Sequence, residues 1–160
     1  MKKYRDNGAI GAFLDEYERA LGELETVLKD VTPEELVHIV EPDTQNASCR
    51  SIQTILAHVI MSGYWYVIEI RKSLGEDIAY PPSKELPAVD AYIDALDVMF
   101  EFNEKLFEDY PDISTIEWDP DKKIKVRWGQ LYDVGQMFEH AIVHVLRHRR
   151  QIERFILKLR

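Results

Sequence analysis

The sequence predicts an all-α protein, a four-helix bundle, in a single domain that spans residues 1–160. Three observations lead to this prediction. Four long stretches place apolar residues three and four positions apart, the spacing of one helix face. Helix start and stop signals bound these stretches. Hydrophobic residues are 46% and charged residues 31% of the chain, a balance typical of one globular core.

The first long helix is predicted over Gly8–Lys29, where apolar residues form one amphipathic stripe. A new helix start follows directly. Thr32 can cap it, Pro33 suits the first helical position, and Glu35 completes a capping box. This second piece is short and is predicted to end near Ile39.

The second long helix follows a polar loop, and it is predicted to begin near Ser48 or Ser51 and to run to Leu74. Gly75 suits the end of that helix, because glycine adopts the left-handed conformation that closes many helices. The linker Gly75–Pro87 contains three prolines and separates this helix from the next.

The third long helix is predicted over Ala88–Tyr110, and Pro111 ends it. The following region is the longest predicted non-helical one before the last helix. Ile116–Trp118 and Ile124–Trp128 alternate in polarity on either side of a turn at 119–122, a pattern of a small hairpin, with an irregular loop as the alternative.

The last long helix is predicted over Gln130–Leu159, and it carries His140, His144 and His148 at steps of four residues. Residues four apart share one helix face, so two such imidazoles can bind one metal ion. All three cannot, because His140 and His148 are ~12 Å apart along the helix axis. The helix therefore offers either His140/His144 or His144/His148 as a ligand pair.

His58, on the second long helix, is the natural third ligand, and helix direction decides which pair it meets. The linker Gly75–Pro87 can reach ~43 Å when extended, and the second helix is ~36 Å long. The linker can therefore cross the whole bundle, which favours antiparallel second and last helices and places His58 opposite His144 and His148. In the parallel alternative His58 would lie nearer His140. The alternative is that these histidines are hydrogen-bonded core residues.

Two segments resemble a known family. They are CRSIQTILAHVIMSGYW (Cys49–Trp65), around His58, and EHAIVHVLRHRRQI (Glu139–Ile152), which matches the H-x-x-x-H-R-x-Q ending of the family's last helix. On these motifs, and on length and helix order, the chain resembles the DinB/YfiT-like superfamily of metal-dependent enzymes.

The resemblance implies an up-down-down-up four-helix bundle, a homodimer, and a divalent metal held by His58, His144 and His148. His140 matches no ligand of the family, and we interpret it as a residue that lines the cavity or bonds to the ligand shell. Characterised members of the family include thiol-dependent S-transferases that use bacillithiol, mycothiol or glutathione, and a thiol-dependent isomerase. The resemblance thus implies a low-molecular-weight thiol as a second cofactor.

Further residues are candidates for the surroundings of the metal. Gln151 and Ser62 are placed by helix spacing to fix the imidazole rings. Tyr64, Trp65 and Trp128 are candidates for the substrate cavity. Histidine ligands suit zinc, nickel, iron or manganese.

We expect a metal-dependent enzyme that transfers a thiol to a small-molecule substrate or hydrolyses one. The alternative is a non-catalytic metal-binding or dimerisation module.

Composition excludes some partners and locations. The net charge of −9 argues against nucleic acid binding, which usually needs a basic surface. Polar residues interrupt the least charged run, Ser51–Ile68, so no membrane anchor is expected. A single cysteine, Cys49, and a polar N-terminus fit a cytoplasmic protein.

Overall fold

Four long helices and one short helix make up most of residues 4–160, the part of the chain that the structure, a computed structural model, describes. The prediction of an all-α four-helix bundle is confirmed. The helices are α1 (Gly8–Leu28), α2 (Pro33–Val37), α3 (Ile52–Ser73), α4 (Val89–Asp109) and α5 (Val134–Leu159).

Local signals in the sequence set several helix ends. Thr32 and Glu35 form the predicted capping box at the start of α2. Ser51 caps α3, because its side chain accepts a hydrogen bond from the backbone N–H of Thr54. Gly75 follows the end of α3 with a φ of 95°, a conformation that glycine adopts without the steric penalty of a Cβ atom.

Helices α3 and α4 run parallel, as an up-down-down-up bundle requires. The Tyr92 hydroxyl, near the start of α4, donates a hydrogen bond of 3.2 Å to the Gln53 carbonyl near the start of α3. At the other ends of the two helices, Arg71 pairs with Asp109 at 2.8 Å. The linker between them therefore returns along the length of α3. Near the end of the linker, the Leu86 carbonyl accepts a hydrogen bond of 3.0 Å from the side-chain amide of Gln53.

Helices α3 and α5 run antiparallel. The ring of His58 lies 5.1 Å from that of His148, and further along α3 the ring of Tyr66 lies 5.4 Å from that of His140. Residue numbers therefore increase along α3 in the direction in which they decrease along α5. The predicted antiparallel arrangement of these two helices, which decides which histidines meet, is therefore observed.

Large apolar side chains from all four long helices fill the core. Helix α4 also comes very close to α3 at Gly63, where an added Cβ would lie 2.2 Å from the Met99 sulfur. A larger residue at Gly63 would therefore force the Met99 side chain to move. The largest fully buried side chains include Tyr17, Tyr92, Phe138, Phe155, Leu24, Ile55 and Ile70.

The hairpin before the last helix is present, but its strands differ from those predicted. Ile124–Lys125 pairs antiparallel with Leu131–Tyr132, and 116–118 takes no part. The chain turns at Gly129, whose φ is 89°. The predicted start of the last helix at Gln130 is wrong, because the Asp133 side chain accepts from the Gln136 N–H and begins α5 there.

Among residues 4–160, no helix is both long and apolar enough to cross a membrane.

Candidate metal centre

Three imidazoles meet where α3 crosses α5. The Nε2 atom of His144 lies 3.0 Å from Nε2 of His58 and 3.2 Å from Nε2 of His148. One ligand atom from each ring lies within 4.8 Å of the other two. The two helices run in opposite directions, so one residue of α3 faces two residues of α5 that are a turn apart.

These separations suit a single divalent ion. An ion with metal–nitrogen bonds of ~2.0–2.1 Å holds neighbouring ligand nitrogens ~2.8–3.4 Å apart in tetrahedral or octahedral geometry. The two Nε2 distances that involve His144 fall inside that range. The three histidines therefore form a donor set that could hold a divalent cation.

Hydrogen bonds within the cluster do not satisfy all three nitrogens. The Gln151 carbonyl oxygen accepts from Nδ1 of His148 at 3.0 Å, which leaves a lone pair on Nε2 of a neutral His148. His144 then has one Nε2 position facing both His58 and His148. At most one of these two contacts can be a full hydrogen bond, so lone pairs converge on the point between the rings.

The imidazoles are held in the neutral form that binds metal. Burial, and then the neighbouring His148 and His58, lower the pKa of His144 to about 2. Burial, and then His58, lower the pKa of His148 to about 4, although the bond to Gln151 opposes this change. Burial, and then the charge of Arg127, lower the pKa of His58.

A pocket of about 350 Å³ opens beside the cluster. Aromatic rings form much of its wall, and it lies at the lower end of the size range of small-molecule sites. It is lined by His58, Met61, Ser62, Trp65, Tyr66, Arg127, Trp128, His140 and His144.

Comparison with known proteins identifies the family. A family model described as the DinB superfamily matches residues 16–152, which include all three clustered histidines and Gln151. The chain belongs to the DinB superfamily. No curated protein and no solved structure matches it.

In this DinB superfamily chain, His140 lies outside the three-histidine cluster. Its Nδ1 lies 3.3 Å from the Tyr132 hydroxyl, and its ring stacks on Trp128 with centroids 4.9 Å apart. Burial lowers the pKa of His140. The residue lines the pocket, in the position interpreted from the sequence as that of a cavity neighbour.

Three of the other predicted residues lie at the site, and one does not. Gln151 bonds to His148, and Trp65 lines the pocket. Ser62 also lines the pocket, but within residues 4–160 it makes no hydrogen bond to an imidazole. Tyr64 is not in the pocket wall; its ring packs 5.3 Å from that of Phe102 and lines a separate cavity.

Three residues of the pocket, Met61, Tyr66 and Arg127, were not among those predicted from the sequence. Tyr66 is 5% exposed, its ring lies 6.0 Å from that of His144, and burial raises the pKa of its hydroxyl. Its position eight residues after His58 places it on the same face of α3, so spacing could have found it. Arg127 lies in the turn of the hairpin, where no periodic pattern indicates direction.

Proposed function

We propose that this DinB superfamily protein is a metal-dependent enzyme in which His58, His144 and His148 hold one divalent ion. The adjacent pocket binds a small-molecule substrate. The observation that carries the proposal is the convergence of three Nε2 atoms, at 3.0 and 3.2 Å from the central one, on a point that hydrogen bonds cannot satisfy.

The ligand set favours a catalytic over a structural ion. Three neutral imidazoles leave the double charge uncompensated and coordination positions free, the arrangement of catalytic sites. The ion can be zinc, nickel, iron or manganese. When bound, it would act as a Lewis acid and lower the pKa of a thiol or water molecule that coordinates it.

Three residues around the metal ligands have a defined part in this proposal. Gln151 holds the His148 ring with Nε2 unprotonated. Trp65 and Trp128, whose rings lie 5.8 Å apart, provide apolar surface that limits water beside the histidines. The reaction that suits such a pocket is transfer of a low-molecular-weight thiol to an organic electrophile, and hydrolysis of a small substrate would use the same residues.

The test uses protein purified without an affinity tag and loaded with each of the four metals. Thiols, including glutathione and bacillithiol, are incubated with a panel of electrophiles, and adducts are measured by mass spectrometry. Ester and amide substrates test hydrolysis in parallel. The His148→Ala variant is the control for background reaction.

We expect adduct formation that needs both the metal and His148. Stoichiometric metal binding with no thiol transfer and no hydrolysis would instead indicate a non-catalytic metal-binding module. Failure of the wild-type protein to retain any metal would reject the proposal at its first step.

A further inference from the structure

The pocket beside the histidines differs from the rest of the chain in charge. The sequence has 29 acidic residues and a net charge of −9, yet no carboxylate is among the side chains that line this pocket. Its histidines are neutral, so Arg127 is the one fully charged group in the lining. A bound divalent cation would make the pocket more positive still.

Arg127 has no counter-ion within the described part of the chain. Its guanidinium carbon lies 4.7 Å from the centroid of the Trp65 ring, and its side chain is otherwise exposed. An arginine without a carboxylate keeps its five donors available. Five other arginines form ion pairs, namely Arg5, Arg19, Arg71, Arg149 and Arg160. Of the arginines without an ion pair among residues 4–160, Arg127 is the one that lines this pocket.

The backbone around Arg127 is held by a tight turn. The N–H of Gly129 donates to the Val126 carbonyl at 2.8 Å, and the N–H of Val126 donates to the Gln130 carbonyl at 3.0 Å. Trp128 then packs on Trp65 of α3. The hairpin thus holds the backbone of Arg127 beside the pocket, where the Trp65 ring contacts its guanidinium.

We propose that Arg127 is an anion subsite of this pocket, and that the substrate is a small organic acid with an apolar body and a carboxylate end. The guanidinium matches a carboxylate in two parallel hydrogen bonds. Met61, Trp65 and Trp128 offer apolar surface for the body of the substrate. The inference rests on the proposed function only in placing the substrate beside the histidines.

A purely structural role for Arg127 predicts a different behaviour. If the side chain only held the hairpin on Trp65 by a cation–π contact, its loss would weaken acid and neutral ligands equally. An anion subsite discriminates between them. The test is therefore a difference in affinity between two probes of the same shape, measured in each variant.

The probes are 3-phenylpropionate and its neutral amide, 3-phenylpropionamide. Binding is followed by tryptophan emission, because Trp65 and Trp128 line the pocket, and by calorimetry. Both titrations use metal-free and zinc-loaded protein. The variants are Arg127→Met, which keeps an apolar stem on Trp65, Arg127→Lys, which keeps the charge, and Arg150→Met, an exposed arginine outside the pocket lining.

We expect wild-type protein to bind the acid about fivefold more tightly than the amide, the effect of one charge-assisted pair at a partly exposed site. Arg127→Met should abolish this preference. Arg127→Lys should keep part of the preference, and Arg150→Met should keep all of it.

Three outcomes would overturn the subsite: no binding of either probe, equal affinity for both in the wild type, or a preference that survives Arg127→Met. The last would place the anion on the histidines or their ion. A preference that depends on Arg127 in a protein that never retains metal would support the subsite and reject the proposed metal function. Metal binding without a preference for the acid would support the metal function and reject the subsite.

Discussion

Helix α3 carries two buried polar regions that differ in how their polar groups are paired. Near its end, Arg71 is 5% exposed, and its two terminal nitrogens each pair with a carboxylate at 2.8 Å, one from Glu76 and one from Asp109. The charge of Arg71 is therefore matched by groups of the same chain, and this region fastens the start of the linker to the end of α4.

The histidine cluster near the start of α3 has no such internal match. Its ring nitrogens face one another at 3.0 and 3.2 Å, and among residues 4–160 the cluster includes no carboxylate. At most one of these two contacts can be a full hydrogen bond. The terminal nitrogens of Arg71 are paired within the chain, although its Nε has no hydrogen-bond partner among the described residues, whereas the geometry of the three imidazoles suits a cation from outside.

The largest expected effect is on metal retention. Replacing His58, His144 or His148 by alanine should weaken binding of a divalent ion more than ~100-fold, because a lost ligand costs more than a lost supporting bond. Metal content after dialysis, measured by mass spectrometry on tag-free protein, tests this.

His140→Ala is the matched control, since it removes an imidazole from the same face of α5 but from outside the cluster. Its metal content should remain close to that of the wild type. Loss of metal from His140→Ala together with retention by His148→Ala would reassign the pair to His140 and His144.

The two regions should also respond to acid in different ranges. The pKa of His148 is about 4 in the fold against 6.5 unfolded, so the unfolded state binds more protons below pH 6.5. The free energy of unfolding of metal-free protein should therefore fall by more than ~1.4 kcal/mol between pH 6.5 and 4.5. Denaturant titrations at several pH values measure it.

The carboxylates of the Arg71 region should contribute only at lower pH. The Tyr110 hydroxyl and then Arg71 hold the pKa of Glu76 below its usual 4.5, and Arg71 and Lys105 hold that of Asp109 below 3.8. Their stabilisation is present above these values and is lost as pH falls through the lowered ones. A His148→Phe variant should lose only part of this fall above pH 4.5, because His144 keeps a lowered pKa; an unchanged curve would show that His148 is not buried in neutral form.

A smaller effect is expected from Arg71→Met. Two charge-assisted hydrogen bonds are lost, but Glu76 and Asp109 are partly exposed and can be hydrated, so the free energy of unfolding should fall by about 2 kcal/mol. Metal content should not change. A variant that folds normally but binds no metal would contradict the separation of the two regions.

The smallest expected effect is that of Gln151→Leu. Without the bond from Nδ1, the His148 ring loses its fixed orientation, and metal affinity should fall by ~10-fold. Ser62→Ala provides the contrast, because Ser62 contacts the pocket but no imidazole within residues 4–160, and its metal affinity should match that of the wild type. A reversed order would assign the supporting role to Ser62.

Much of the fold follows from short-range signals. The capping box at Thr32 and Glu35, and Gly75 at the end of α3, depend on residues within one helical turn, and each was recognisable in the sequence. The meeting of His58 with His144 and His148 followed from the reach of one linker. In these cases spacing or chain length favours one arrangement over its alternatives.

The hairpin could not be placed in the same way. Its strands are two residues long, and their register depends on the turn at Gly129 and on the competing helix start at Asp133. For the same reason, nothing in the sequence directed Arg127 towards the pocket. Tyr64, Trp65 and Tyr66 are consecutive, but Trp65 and Tyr66 lie seven and eight residues after His58 and share its helix face, whereas Tyr64 does not.

The most direct test is a crystal structure of metal-loaded protein, with diffraction recorded at the absorption edge of the bound metal. We expect one anomalous peak within ~2.0–2.2 Å of Nε2 of His58, His144 and His148. A peak at His140 or at surface carboxylates, or no peak in a protein whose three rings keep this arrangement, would contradict the metal centre.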